Sequence, residues 1–198
     1  YTRAFSDAIT TLRDRGVLSF VASSNDASDN SITAPACISN AIAVGAVYDT
    51  QPSSYNSSEC NDINPAADTM TCFSNSSVSL DLVAPGSPIT STRRGGGTAV
   101  YSGTSMSTPL AAGCAALIME HNSTWSMDEI EAVLETSDVI VTDPLGREFP
   151  RLDCMSFSKK TEDTDGDGDP SADEDRYQWV QERKTFAEAK AHAESLGG

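Results

Sequence analysis

Positive charge is scarce in this sequence. Thirteen Lys and Arg stand against 29 Asp and Glu, a formal net charge of -16 over 198 residues. Phosphate binding needs clustered Lys and Arg, so nucleic acid is excluded as a partner. Long apolar runs are also missing. No stretch reaches the roughly 18 apolar residues that a membrane-crossing helix requires. Cysteine is sparse, and five thiols do not make a dense disulfide scaffold. No charged-then-apolar signal segment opens the chain. Residue 1 is Tyr and not Met, so the expectation is a piece of something longer. Apolar residues make up 38%, low for a globular chain but too high for wholesale disorder.

What is present is unevenly spread. Residues 1–158 hold 18 acids and 7 bases, and residues 159–198 hold 11 acids and 6 bases. From Glu162 to Asp175 there are eight acids and no base. Such a block repels itself unless a cation collects it. The expected organisation is a compact domain over 1–156, an acidic linker over 157–176 and a C-terminal piece over 177–198.

The first part alternates helix and strand patterns. Phe5, Ala8, Ile9 and Leu12 recur at helical spacing, and Gly16 sits where a helix ends. Val17 to Ala22 reads as a buried strand, as does Ala41 to Val47. Leu80 to Ala84 reads as a third, stopped by Pro85-Gly86. Residues 105–120 are small and apolar on all sides, which suits a buried helix. Ser126 and Glu129 have capping-box spacing ahead of Ile130, Val133 and Leu134. These alternations predict an α/β domain with a mainly parallel sheet, its ligands bound where strands end and helices begin.

The chemistry is concentrated around Ser105. Ser102-Gly103-Thr104-Ser105-Met106-Ser107-Thr108-Pro109 runs into the apolar helix. A serine there meets free backbone N–H groups and the positive end of the helix dipole. Those groups stabilise an oxyanion in acyl transfer. Alone, such a serine is an ordinary N-cap. The whole string, with small residues and Gly113 after it, resembles the nucleophile segment of subtilisin-like serine proteases. The resemblance implies a three-layer fold, Ser105 as nucleophile and Thr104 supporting the oxyanion site.

Further segments resemble that family in the same order, over roughly residues 4–155. Phe20-Val21-Ala22-Ser23-Ser24-Asn25-Asp26 is similar to a strand ending in an oxyanion-hole asparagine. The resemblance makes Asn25 a side-chain donor beside the Ser105 N–H. Ser24 stands where the family usually has Gly. Ala34-Pro35-Ala36 and Ala41 to Val47 resemble a pocket wall and its following strand. Ala22, Ser23 and Ser24 with Thr33, Ala34, Pro35 and Ala36 would then line the primary specificity pocket. Cys72-Phe73-Ser74-Asn75 and Leu80 to Gly86 resemble the family as well.

A hydrolytic serine needs a base, and the base an orienting carboxylate. The histidines are His121 and His192, and none precedes Asn25. In the family the catalytic Asp and His come before the asparagine strand. The expectation is therefore a fragment, inactive by itself, of an endopeptidase acting on proteins or peptides. Leu110 stands where family members commonly have a non-catalytic His.

Two cation sites are expected. Asp163, Asp165, Asp167 and Gly168, running on to Glu174, follow the D-x-D-x-D-G-x5-E spacing of a calcium loop. Carboxylates at alternate positions converge on one ion, and Glu174 supplies the closing ligand. Asp169 is a further candidate. The family resemblance alone suggests a second cation, held by Asp81 and the carbonyls of Ala36, Ile38 and Ala41.

Residues 177–198 resemble the opening of a C-type lectin-like domain, with a strand, a Phe-Ala-Glu-Ala-Lys helix and Leu-Gly-Gly. A glycan or protein ligand would follow from that likeness. Cys60 and Cys72 flank a polar insert and are the expected disulfide, while Cys114 in the apolar helix reads as a free, buried thiol. Cys37 and Cys154 stay open. The calcium linker and the insert disulfide predict a secreted or extracytoplasmic protein. The competing reading is a calcium-dependent adhesion protein with a non-catalytic protease fold.

Overall fold

The computed structural model describes residues 3–154. All of them lie in the first of two units into which the chain divides, Tyr1–Phe157. Helix α1 spans Arg3–Asp14, and a short strand β1 follows at Phe20–Ala22. Strand β2 spans Ile42–Tyr48, and β5 spans Leu82–Ser87. Between them lies a small hairpin, β3 (Ser54–Asn56) with β4 (Asn61–Ile63). A second hairpin joins β6 (Ile89–Thr92) to β7 (Thr98–Tyr101) and leads into helix α2, Thr104–His121. Helix α3 (Met127–Leu134) and a third hairpin, β8 (Ile140–Thr142) with β9 (Glu148–Pro150), complete the described residues.

The central sheet has the order β1-β2-β5 and is parallel throughout. All seven residues of β2 are buried. That follows from a sheet covered on both faces, where alternation of polar and apolar residues disappears. Side chains still alternate between faces. Ile42, Val44, Leu82 and Ala84 pack with Ala111, Ala115 and Ile118 of α2 and Ile130 of α3. Ala43, Val47 and Val83 face the other way, onto Ile32, Leu80, Val141 and Phe149. The fold is the expected α/β arrangement with a mainly parallel sheet.

Helix α3 begins as its sequence requires. Ser126 Oγ accepts from the N–H of Glu129, and the Glu129 carboxylate accepts from the N–H of Ser126, closing the capping box. Arg13 ties α1 to this helix. Its guanidinium donates to Asp128 at 2.6 Å and also to Glu131.

Four expectations need correction. The third strand does not stop at Pro85-Gly86 but runs on to Ser87. Its register slips by one residue there, so that Val47 faces Pro85 and Tyr48 faces Ser87. The bulge absorbs Gly86, and the Pro lies at an irregular stretch where a missing N–H is tolerated. Cys114 is not free but is joined to Cys154, alongside the expected Cys60–Cys72 bond; Cys37 is the free thiol. Strand β1 is Phe20–Ala22 and not Val17–Ala22, and it is half-buried, with Val17 exposed. Finally, α2 is covered on one side only. It buries Thr104, Ser107, Ala111, Cys114, Ala115 and Ile118, while Leu110 and Leu117 are exposed. Among the described residues no helix is long and apolar enough to cross a membrane.

Candidate active site

Three segments are linked around the start of α2: the first and third touch it, and the second holds the first. The first is the end of β1 and the turn after it, residues 22–28. The second is residues 73–76. The third is the Gly86-Ser87 step of β5, next to Ser102-Gly103. Gly103 N–H donates to the Gly86 carbonyl at 2.9 Å, and the hydroxyls of Ser87 and Ser102 lie 2.9 Å apart. The strand bulge therefore sets where the helix begins. Gly86 has to be glycine, because a Cβ there would lie 2.4 Å from Ser107 Oγ and 2.6 Å from Ala46 Cβ. Gly103, at φ +153°, adopts a conformation closed to most residues with a side chain.

Ser105 occupies the second position of α2. Its N–H lies in the first turn, where donors have no intrahelical acceptor. Its side chain is exposed. Pro109, four residues on, has no N–H to offer the Ser105 carbonyl. Thr104 is fully buried beneath it.

Asn25 reaches this helix start from the β1 turn. Its Oδ1 accepts from the Thr104 N–H at 2.8 Å and from Thr104 Oγ1 at 3.0 Å. A backbone N–H only donates, so this contact fixes which end of the amide faces the helix. Nδ2 is the donor left over, and among the described residues it has no partner. The expectation had Asn25 donating beside the Ser105 N–H, with Thr104 supporting the oxyanion site. The structure has Thr104 holding Asn25 directly.

The two halves of the expected pocket are brought together. Ser23 N–H donates to the Val44 carbonyl at 3.0 Å, and Thr33 N–H donates to the Ser23 carbonyl at 3.3 Å. That pairing sets Ala22–Ser24 against Thr33–Ala36. Ala36 N–H then donates back to the Thr33 carbonyl at 2.9 Å, turning the wall through a cis Ala34–Pro35 bond. Ser23 and Ala36 are buried, while Thr33 and Ala34 are exposed. Ser24 has φ +99°, a region that favours glycine.

Other expected site residues lie elsewhere. Asp81 sits behind β2, where its Oδ2 accepts from the Ala43 N–H at 2.7 Å. Burial pushes its carboxyl up to about 6. The Ile38 carbonyl accepts from the Ala41 N–H at 2.9 Å. These are hard oxygen donors of the kind calcium takes. No cluster of three or more His, Cys, Asp or Glu is present among the described residues. Asp163, Asp165, Asp167, Asp169 and Glu174 lie outside the described residues, as do His192 and the segment likened to a lectin domain. His121 closes α2, 16 residues beyond Ser105, roughly 24 Å along the axis at 1.5 Å per residue. It cannot reach the serine.

Sequence reasoning missed Asn75, Asp26, Gly86 and the pairing of Thr104 with Asn25. Asn75 and Gly86 were already visible within segments that resemble the protease family, but spacing alone assigned them no task.

Comparison with known proteins bears on the family and the fold. Residues 2–182 match the Subtilase family profile, which runs past the boundary expected near residue 157. Subtilisin BL of Lederbergia lenta is 37% identical over 130 residues, 66% of this chain and 42% of that protein. Alkaline serine protease ver112 of Corniculantispora psalliotae is 35% identical over 148 residues, 74% of this chain and 34% of that protein. Among solved structures, a cold adapted subtilisin-like serine proteinase superposes with TM-score 0.60 at 30% identity, covering 77% of this chain and 50% of its own. The chain thus spans less than half the length of these curated relatives.

Proposed function

The chain belongs to the subtilase family, and from that premise we propose that it is the nucleophile-bearing part of a secreted serine endopeptidase. Ser105 attacks the scissile carbonyl of a protein or peptide. The oxyanion that develops is held by the Ser105 N–H and by Nδ2 of Asn25. Ala22–Ser24 and Thr33–Ala36 line the pocket for the residue before the scissile bond. The observation that carries this reading is the Thr104–Asn25 hydrogen bond. It spends the acceptor end of the Asn25 amide on the helix and leaves its donor end free beside the first turn. Preorganised donors of this kind are the largest single contribution to acyl transfer in such sites.

The base is the remaining requirement. Among the described residues the histidine is His121, roughly 24 Å along α2 from Ser105 at 1.5 Å per residue, so we assign the base to a histidine of the full-length protein, oriented by an aspartate. The 198-residue chain by itself is then inactive. The test is a fluorophosphonate probe applied to the full-length protein, with Ser105→Ala as the control. Labelling that disappears in the control is expected. Unlabelled Ser105 in a folded full-length protein would sink the enzyme reading in favour of a non-catalytic adhesion protein.

Calcium is part of the same proposal. Asp163, Asp165, Asp167, Asp169 and Glu174 supply alternating carboxylates, and Asp81 with the carbonyls of Ala36, Ile38 and Ala41 supplies a second set of oxygen donors. Titration calorimetry with calcium checks the first set. Binding that vanishes on Asp163→Asn with Asp165→Asn is expected, and no heat at millimolar calcium removes it.

A further inference from the structure

The geometry points to Asn75 as the positioning residue that holds Asn25 over the start of α2. This rests on the reading of Asn25 as an oxyanion donor. Among the described residues, the hydrogen bonds of the Asn25 side chain to the helix both go to Thr104. Its own turn, residues 24–28, is held by residues 73–76.

Asn75 is 1% exposed and uses both ends of its amide on that turn. Its Oδ1 accepts from the N–H of Asp26 at 2.8 Å and from the N–H of Ser28 at 3.2 Å. Its Nδ2 donates to Asp26 Oδ2 at 3.3 Å. Its backbone N–H donates to the Ser24 carbonyl at 3.0 Å. One residue therefore grips the positions immediately before and after Asn25. Its neighbours extend the grip: Ala27 N–H donates to the Phe73 carbonyl at 3.0 Å, and Ser76 N–H donates to the Ser28 carbonyl at 2.9 Å.

The turn needs such a grip. Ser24 sits at φ +99° and Ala27 at φ +54°, two left-handed conformations without a glycine. Conformations of this kind persist only when their surroundings over-determine them. Ser24 Oγ also donates to Asp26 Oδ2 at 2.7 Å, so the Asp26 carboxylate gathers Ser24 and Asn75 on one oxygen. Release of Asn75 lets the turn relax and carries the Asn25 amide away from Thr104. A displacement near 1 Å at a reacting group can cost about 100-fold in rate.

A buried asparagine with a purely structural task would look the same in the folded state. A double-mutant cycle for hydrolysis by the full-length protein separates the two. Asn75→Ala is expected to lower kcat by about 10- to 100-fold with KM changed less than about threefold. In an Asn25→Ala background the same substitution is expected to change kcat by less than about twofold, because the group it positions is gone. Equal losses in both backgrounds, or an unchanged kcat, would overturn the assignment.

A swap guards against misfolding of the alanine variant. Asn75→Asp alone sets a carboxylate against Asp26 and is expected to lower kcat. Adding Asp26→Asn restores a donor facing an acceptor, and kcat should recover to within about threefold of the parent. A swapped protein that melts like the parent yet stays slow also overturns the assignment. If the parent itself neither hydrolyses peptide nor takes the probe, the protease reading fails and this inference falls with it. An active parent with an additive cycle sinks the inference alone.

Discussion

The backbone N–H of Thr104 donates to Asn25 Oδ1 at 2.8 Å, across 79 positions of sequence. The residue preceding the candidate nucleophile thus orients the side chain that would share its oxyanion. Asn25→Asp keeps an acceptor facing Thr104, replaces the Nδ2 donor with an oxygen and sets a negative charge beside the oxyanion. In the full-length protein kcat should fall by at least about 100- to 1,000-fold, the loss typical of one oxyanion-hole donor, with little change in KM. Steady-state kinetics on a peptide substrate checks this. A change in KM alone would show that Asn25 binds substrate without acting on the transition state.

Gly86→Ala should destabilise the domain. The added methyl has Ser107 Oγ at 2.4 Å and Ala46 Cβ at 2.6 Å, both on buried, packed elements. Overpacking of this kind costs about 1–3 kcal/mol or more. Thermal unfolding should show a fall of roughly 5–10 °C. Because Gly86 also receives the Gly103 N–H, the same variant should lower probe labelling at Ser105.

Asp143 locks the last hairpin to the turn region. Its side chain is wholly buried, and Oδ2 accepts from Arg147 Nε at 2.7 Å and from Ser76 Oγ at 2.9 Å. Burial alone would push its carboxyl up. Hydrogen bonds from the Arg147 backbone, the Arg147 guanidinium and Ser76 outweigh it and hold the carboxyl below the ordinary value. A lowered folded pKa stabilises above the unfolded value of 3.8, and that stability is lost as pH falls through the folded pKa. Asp143→Ala removes the carboxylate partner of Arg147, which keeps its bonds to Asp29, Asn30 and Ser76, and should cost about 3 kcal/mol near neutral pH. The difference between parent and variant should shrink below about pH 4, read from denaturant midpoints across pH.

Non-reducing peptide mapping should find Cys60 linked to Cys72 and Cys114 linked to Cys154, with Cys37 open to alkylation. The second bond closes a separation of 40 residues. Loop-closure entropy gives it about 4 kcal/mol, so Cys114→Ala with Cys154→Ala should lower the denaturant midpoint clearly. Recovery of a Cys37–Cys154 peptide instead would refute the pairing.

Much of the scaffold was legible because it depends on local rules. Apolar runs marked β1, β2 and β5, and the capping box of Ser126 and Glu129 marked the start of α3. Where the reading failed, a neighbour outweighed the local signal. Pro85-Gly86 reads as a stop, yet β2 supplies hydrogen bonds on one edge and the bulge takes up the glycine. Cys114 reads as a small apolar residue because nothing nearby in sequence announces Cys154.

The sequence by itself determined the family, the α/β pattern and the serine at a helix start, since motif order and hydrophobic periodicity are properties of the chain. Tertiary structure alone decided what surrounds that serine. The contacts that orient Asn25 join residues 24–28, 73–76, 86 and 103–104, which are distant in sequence. Whether an amide turns its donor or its acceptor toward a helix depends on which partner lies opposite, and only the folded chain places Thr104 there.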